Sequence, residues 1–173
     1  MNHVIRLLEP EEAAHYRDAL IDLLVDAVDN GASVNFVWPM THDKAAAWWD
    51  AAFVSHAKGE RLIFIAEAGG RVDGTVHLVP APMENQFFRA DVAKMLVHSR
   101  ARRQGLGAAL LKAAEDEARR IGRTLLTLDT EKHSAGEHLY RRLGYIPFGE
   151  VPGYAMRADN GGREAAVFFY KTL

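Results

Sequence analysis

The residues best suited to chemistry are Arg102-Arg103-Gln104-Gly105-Leu106-Gly107, a basic turn with two glycines one residue apart. Glycines let a backbone come close to a ligand, and a helix opening there points unbonded N–H groups outward. Such a turn is an anion cradle, and its arginines add charge-assisted hydrogen bonds that make a diphosphate the natural guest. Without a ligand the same pattern is only a tight turn. Other phosphate loops fail on spacing. A Walker loop needs Gly-x-x-x-x-Gly-Lys-Ser/Thr, and a dinucleotide fingerprint needs a third glycine at position 110, where Leu110 stands. The chain has no cysteine, which excludes disulfides, thiolate metal sites and sulfur nucleophiles. No two of its eight histidines show metal-ligand spacing, so no metal is expected.

A cradle needs a strand behind it and a helix ahead. Residues 87–97 predict a strand, and Gly105 to Ile121 give the clearest helix, with an apolar stripe at Leu106, Ala109, Leu110, Ala113, Ala114, Ala118 and Ile121. Glu115 with Arg119 and Asp116 with Arg120 form four-apart pairs on its other face, and Gly122 closes it. Leu125 to Leu128 is a continuous apolar run suited to a buried strand, so residues 87–128 predict a parallel pair with a right-handed helical crossover. Upstream come a strand over 3–8, a helix from Pro10 to Asn30-Gly31, a loop from Gly31 to Met40, and a second helix capped by Thr41. Strands from Leu62 to Ala68 and Arg71 to Val79 flank the hairpin turn Gly69-Gly70. Downstream lie a short helix from Ser134 to Leu143 and strands over 145–148 and 165–171.

A length of 173 residues with a 49% hydrophobic share supports one compact domain over 1–173. A net charge of −2 gives no broad basic surface, so no nucleic-acid partner is expected. No apolar run approaches the roughly 20 residues of a membrane span, and a soluble cytoplasmic protein is expected, as monomer or homodimer.

The residues also carry a resemblance. Arg102-x-x-Gly105-x-Gly107 is similar to the signature of the GNAT acetyltransferase superfamily, and Tyr140-Arg141-Arg142-Leu143-Gly144-Tyr145 resembles the segment that follows the family's fifth strand. Asn30-Gly31-Ala32-Ser33-Val34, Leu128-Asp129-Thr130-Glu131, Gly149-Glu150-Val151-Pro152-Gly153-Tyr154 and Tyr170-Lys171-Thr172-Leu173 resemble the tabtoxin-resistance acetyltransferases. The resemblance implies an α/β (α+β) fold. Its mixed, mostly antiparallel twisted sheet has six to seven strands and about four flanking helices, with strands four and five parallel and splayed. It implies acetyl-CoA as co-substrate. The pyrophosphate would lie on backbone N–H groups of Arg102, Arg103, Gln104, Gly105, Leu106, Gly107 and Ala108. The pantetheine arm would pair with Met95, Leu96 and Val97. Where the family begins its next helix with asparagine this chain has His133-Ser134, leaving Ser134 as a cap and a weaker cofactor contact.

Acetyl transfer to an amine needs a neutral nitrogen, a site for the oxyanion and a proton donor for the thiolate. Asp91, eleven residues before Arg102, stands where the resemblance implies a base, and is equally suited to pair with Arg89. Asp129 ends the next predicted strand, where ligands of parallel sheets gather, or else caps the turn with Thr130 and Glu131. Tyr140 corresponds to the family's tyrosine near the sulfur, a general acid, or packs with Leu143. Trp48, Trp49, Phe87 and Phe88 read as core. What remains around the open end of the splay is the loop over 31–40, the second helix and the segment over 152–156. Asn35, Phe36, Trp38 and Tyr154 there suit a small polar amine acceptor. Two functions fit: an N-acetyltransferase on such an amine, with detoxification as one role, or a CoA-binding module whose acids are idle.

Overall fold

The computed structural model describes residues 3–173 as seven strands and four helices. In chain order they are β1 (Val4–Leu7), α1 (Ala13–Asp29), α2 (His42–Ala57), β2 (Leu62–Ala68), β3 (Arg71–Pro80) and β4 (Arg89–Val97), then α3 (Leu106–Arg120), β5 (Leu125–Glu131), α4 (Ala135–Arg142), β6 (Ile146–Met156) and β7 (Arg163–Thr172). They build one sheet of order β1-β2-β3-β4-β5-β7-β6. Every neighbouring pair is antiparallel except β4 with β5. This is the mixed sheet that the resemblance implied, with the parallel pair expected from the order of elements over 87–128.

Local chemistry explains the punctuation. Gly69 and Gly70 both hold positive φ, +58° and +77°, the backbone that a two-residue hairpin with right-handed twist requires. Thr41 caps α2 by accepting from the Lys44 amide at 3.2 Å. Alternation along β2 then sorts the core into two layers. Phe64 and Ala66 join Leu106, Leu110 and Ala114 of α3, while Ile63 and Ile65 join Leu20, Leu24 and Trp49 beneath α1 and α2.

Four expectations change. The strand read as ending at Leu128 continues to Glu131, so Asp129 lies within β5 rather than at its end. The last two strands, expected over 145–148 and 165–171, extend into one long hairpin, and β6 takes in the segment over 152–156. On α3, Glu115 keeps the expected Arg119 at 4.0 Å and adds Lys171 at 2.8 Å, whereas Asp116 pairs with Lys112 at 2.7 Å and Arg119 at 3.2 Å instead of Arg120, which pairs with Glu117 three residues away. A three-residue spacing serves as well on a helix surface, and the buried Glu115 finds a cation on β7. Finally, Phe87 and Phe88 are exposed and stack edge to face on each other ahead of β4, whereas Trp49 is fully buried as expected.

Candidate active site

The β4–β5 pairing is short. Only Arg89, Ala90 and Asp91 pair with Leu125, Leu126 and Thr127. Beyond that point β4 stays on β3 and β5 stays on β7, so the two strands part and leave the β5-facing edge of β4 open from Val92 to Val97. Met95, Leu96 and Val97 lie on this open edge. A free strand edge offers main-chain donors and acceptors to an extended ligand.

Immediately after that edge comes the cradle. Arg103 and Gly105 hold positive φ of 61° and 80°, and Gly105 is the N-cap residue immediately before α3. Thr41 of α2 and Ser134 of α4 cap their helices with side-chain oxygens, but α3 has no side-chain cap. Its first helical bond runs from the Ala109 amide to the Gly105 carbonyl at 3.1 Å. The amides of Leu106, Gly107 and Ala108 therefore have no intrahelical acceptor, at the positive end of the helix dipole. Arg102, Arg103 and Gln104 are exposed around them. Arg100, part of the same basic run, is not available, because it pairs with the buried Asp73 at 2.6 Å. The two glycines differ in role. A Cβ on Gly105 would meet no protein atom within 4 Å, whereas one on Gly107 would stand 3.0 Å from Leu139 Cδ2. Gly107 thus also lets α3 sit against α4.

On the face of the sheet under α3, Tyr140 of α4 is buried against Tyr145 and Phe169. Burial, with a smaller push from Asp129, raises its pKa well above that of a free phenol. The hydroxyl therefore stays protonated. Ser134 caps α4, accepting from the Glu137 amide at 3.1 Å and meeting Thr130 at 3.1 Å. Gly136 permits that approach, since a Cβ there would be 2.9 Å from Thr130 Oγ1.

The opposite side carries the acids. Asp129 touches solvent, yet protein surrounds it closely enough for burial to raise its pKa, opposed by Lys94 and assisted by Asp91. It lines a cleft with Asn35, Thr130, Glu131, Tyr154 and Glu164. Asp91 forms the ion pair with Arg89 that was one of its two expected roles. It shares the electrostatics of Asp129, and its Oδ1 accepts from Arg89 at 2.5 Å and from the Thr127 hydroxyl. A more open groove between α1 and α2, lined by Arg17, Asp22 and His42, is remote from this gap in the fold.

The residues read as an acceptor surface divide. Asn35 and Tyr154 line the cleft beside Asp129. Phe36 lies next to it, edge to face with Trp48. Trp38 does not line the cleft; its backbone is tied to Ala158 and Asn160, and its side chain is 57% exposed.

Sequence reasoning missed Lys94. It occupies a bulge where Val76 of β3 faces both Lys94 and Met95, and it holds φ at +48°. Its ammonium donates to the Val34 carbonyl at 2.9 Å and lies over Phe36 and Trp48. Burial, then the charge of Arg61, brings its pKa down to about 8. The one available signal was a lysine inside the apolar run Val92-Ala93-Lys94-Met95-Leu96-Val97.

This arrangement has relatives. The acetyltransferase (GNAT) domain family matches residues 59–147. The chain is 30% identical over 115 residues to an uncharacterized N-acetyltransferase in the hisH-hisA intergenic region of Azospirillum brasilense, spanning 65% of this chain and 67% of that one. Among solved structures, an N-acetyltransferase from Staphylococcus aureus Mu50 superposes with a TM-score of 0.78 at 21% identity, covering 99% of both chains. The yncA protein of Salmonella typhimurium, solved with its cofactor acetyl-CoA, superposes at 0.74 and 22% identity over 100% of this chain and 95% of that one. The chain belongs to the GNAT acetyltransferase family and is an N-acetyltransferase.

Proposed function

We propose that the protein transfers an acetyl group from acetyl-CoA directly to the amine of a small polar molecule, within a ternary complex at the β4–β5 gap. The observation that carries this reading is the uncapped N-terminus of α3 directly following the open edge of β4. Those two features fit the two parts of the cofactor. The amides of Leu106, Gly107 and Ala108, with Arg102, Arg103 and Gln104 around them, would hold its pyrophosphate. The edge at Met95, Leu96 and Val97 would hold its amide-bearing arm.

Acetyl-CoA supplies the acetyl group as a thioester. The chain's own residues handle binding and protons. Asp129, its pKa raised by burial toward that of a base, binds the acceptor as an ammonium ion and accepts its proton. Asp91, held by Arg89 and Thr127, keeps negative charge beside it. Tyr140 keeps its phenolic proton and donates it to the departing thiolate. Asn35, Phe36 and Tyr154 bound the acceptor, with Trp38 at the rim.

The acceptor class we favour is amino-acid-like, in keeping with the resemblance to tabtoxin-resistance acetyltransferases and with a role in detoxification. In this reading the chain is a single cytoplasmic domain working as monomer or homodimer. Mass analysis after incubation with acetyl-CoA and a panel of amino-acid-like toxins, polyamines, aminoglycosides and peptide N-termini tests the reading. One acetyl group should be added to a small amine. Acetyl-CoA binding with no acetylated product would instead indicate a CoA-binding sensor or structural module.

A further inference from the structure

Two cations flank the Trp48 ring without counterions, and one of them, Lys94, lies within the field of Asp129. Lys94 Nζ sits 5.4 Å from the Phe36 ring centre and 5.2 Å from that of Trp48, and the Arg61 guanidinium lies 5.7 Å from the same Trp48 ring. Neither forms an ion pair with a carboxylate among the described residues. Lys94 uses one of its three donors, on the Val34 carbonyl. Arg61 donates to His77 Nδ1 at 2.9 Å, while its buried Nε has no partner. Because arginine can only donate, His77 Nδ1 accepts and its proton sits on Nε2, which is also buried and unpartnered. His77 is fully buried, stacked on Trp48, and kept neutral by that burial and by the two nearby cations.

Partly buried cations without counterions are costly, and a ring face offsets only part of the loss. A leucine or methionine would pack against Trp48 without that cost. Packing therefore does not account for both charges. The facing groups are few: Lys44 lies 5.7 Å from the Phe36 ring centre, and Asp129 acts on Lys94 through space without reaching ion-pair distance. Nor does the cluster serve the cofactor cradle. Trp48, Phe36 and Trp49 belong to the layer beneath α1 and α2, whereas α3 packs on the other face of the sheet. The cleft presents an acid, Asp129, and next to it, bonded to Val34 between the lining residues Ser33 and Asn35, stands a separate cation, Lys94, within the field of Asp129. That spacing of opposite charges matches a molecule carrying both an ammonium and an anionic group.

We propose that Lys94 and Arg61 form the subsite for a carboxylate of the acceptor, so that the substrate is a zwitterionic amino acid rather than a polyamine or aminoglycoside. The inference rests on the acyl-transfer reading for its substrate and on the cation cluster for its chemistry. Lys94 makes the nearer contact, beside Asp129, and Arg61 reinforces the field from across Trp48.

The test compares kcat/KM for amino acids and for their uncharged carboxamides in wild type, Lys94→Met, Lys94→Arg and Arg61→Met. Wild type should prefer the acids by about ten- to a hundredfold, the worth of one charge-assisted hydrogen bond. Lys94→Met should bring the ratio within about threefold while acetyl-CoA KM stays within about threefold, and Lys94→Arg should restore part of the preference. Carboxamides used as well as acids by wild type, or a preference that survives both Lys94→Met and Arg61→Met, would overturn the proposal. A second readout does not depend on catalysis: quenching of tryptophan fluorescence by butyrate against butyramide. Carboxylate-selective quenching lost in Lys94→Met supports the subsite even if no amine is acetylated, and its absence in wild type counts against it.

Discussion

Replacing Gly105 separates the backbone requirement of the cradle from the bulk of a side chain. Gly105 holds φ at +80°, and a Cβ there would meet no protein atom within 4 Å, so the folded chain has room for a side chain but the backbone resists one. Left-handed backbone costs an L-residue about 1–2 kcal/mol. That cost has two outlets. If the turn keeps its shape, the strain lowers stability and leaves affinity alone. If the turn relaxes to negative φ, the amides of Leu106, Gly107 and Ala108 rotate away and binding must restore them. Acetyl-CoA affinity then falls by at most about five- to thirtyfold. Isothermal titration with acetyl-CoA, paired with thermal melting, divides the two in Gly105→Asn, Gly105→Ala and Gly105→Val. Asparagine tolerates left-handed backbone and should lose least, alanine more, and β-branched valine most. If asparagine binds worse than alanine, close approach to the ligand outweighs φ. Wild-type affinity and wild-type melting in all three would refute the cradle.

Other outcomes follow from the charges. Burial raises the Asp129 pKa, so the folded state keeps this proton to higher pH than the unfolded chain. Its carboxylate costs stability above the folded pKa, and the cost disappears as pH falls through it. Asp129→Asn should therefore melt higher than wild type at neutral pH and equally near about pH 3, and a lower melting point at neutral pH would contradict the burial argument. Tyr140→Phe should slow turnover by about ten- to a thousandfold with acetyl-CoA affinity intact, because only the proton is removed; unchanged turnover would return Tyr140 to packing. Lys94, lowered to about 8 among Arg61, His77 and Asp129, holds its charge below that pH and loses it above. The preference for carboxylate-bearing acceptors should thus fade between about pH 8 and 9 in wild type and persist in Lys94→Arg, as read from kcat/KM ratios.

The fold was legible where its signals are local. Glycine pairs, helix caps and hydrophobic periods placed every helix and both strands of the β2–β3 hairpin within a few residues, and the spacing of Arg102, Gly105 and Gly107 marked the cradle. The site was legible only along single elements. Lys94 lies on a bulge, and a register shift leaves no trace in the alternation of one strand. Arg61 and His77 come from other segments and meet Trp48 through pairings formed at long range. The sequence marks the last strands only over 145–148 and 165–171, short of Pro152-Gly153. The chain absorbs that pair as a register shift between Val151 and Ala155 on an edge strand. Asp91 stayed ambiguous for a physical reason, since a carboxylate next to an arginine on one strand face can serve a base and an ion pair at once.

The central claim is that acetyl transfer occurs at the β4–β5 gap with Asp129 handling the acceptor's proton. Time courses of free-thiol release at saturating acetyl-CoA, with and without the amine that mass analysis identifies, test it most directly when wild type and Asp129→Asn are run together. The account predicts thiol release that requires the amine, matches product one for one, and slows about a hundredfold or more in Asp129→Asn while acetyl-CoA affinity is kept. Equal rates in the two proteins, or thiol release independent of any amine, would contradict it.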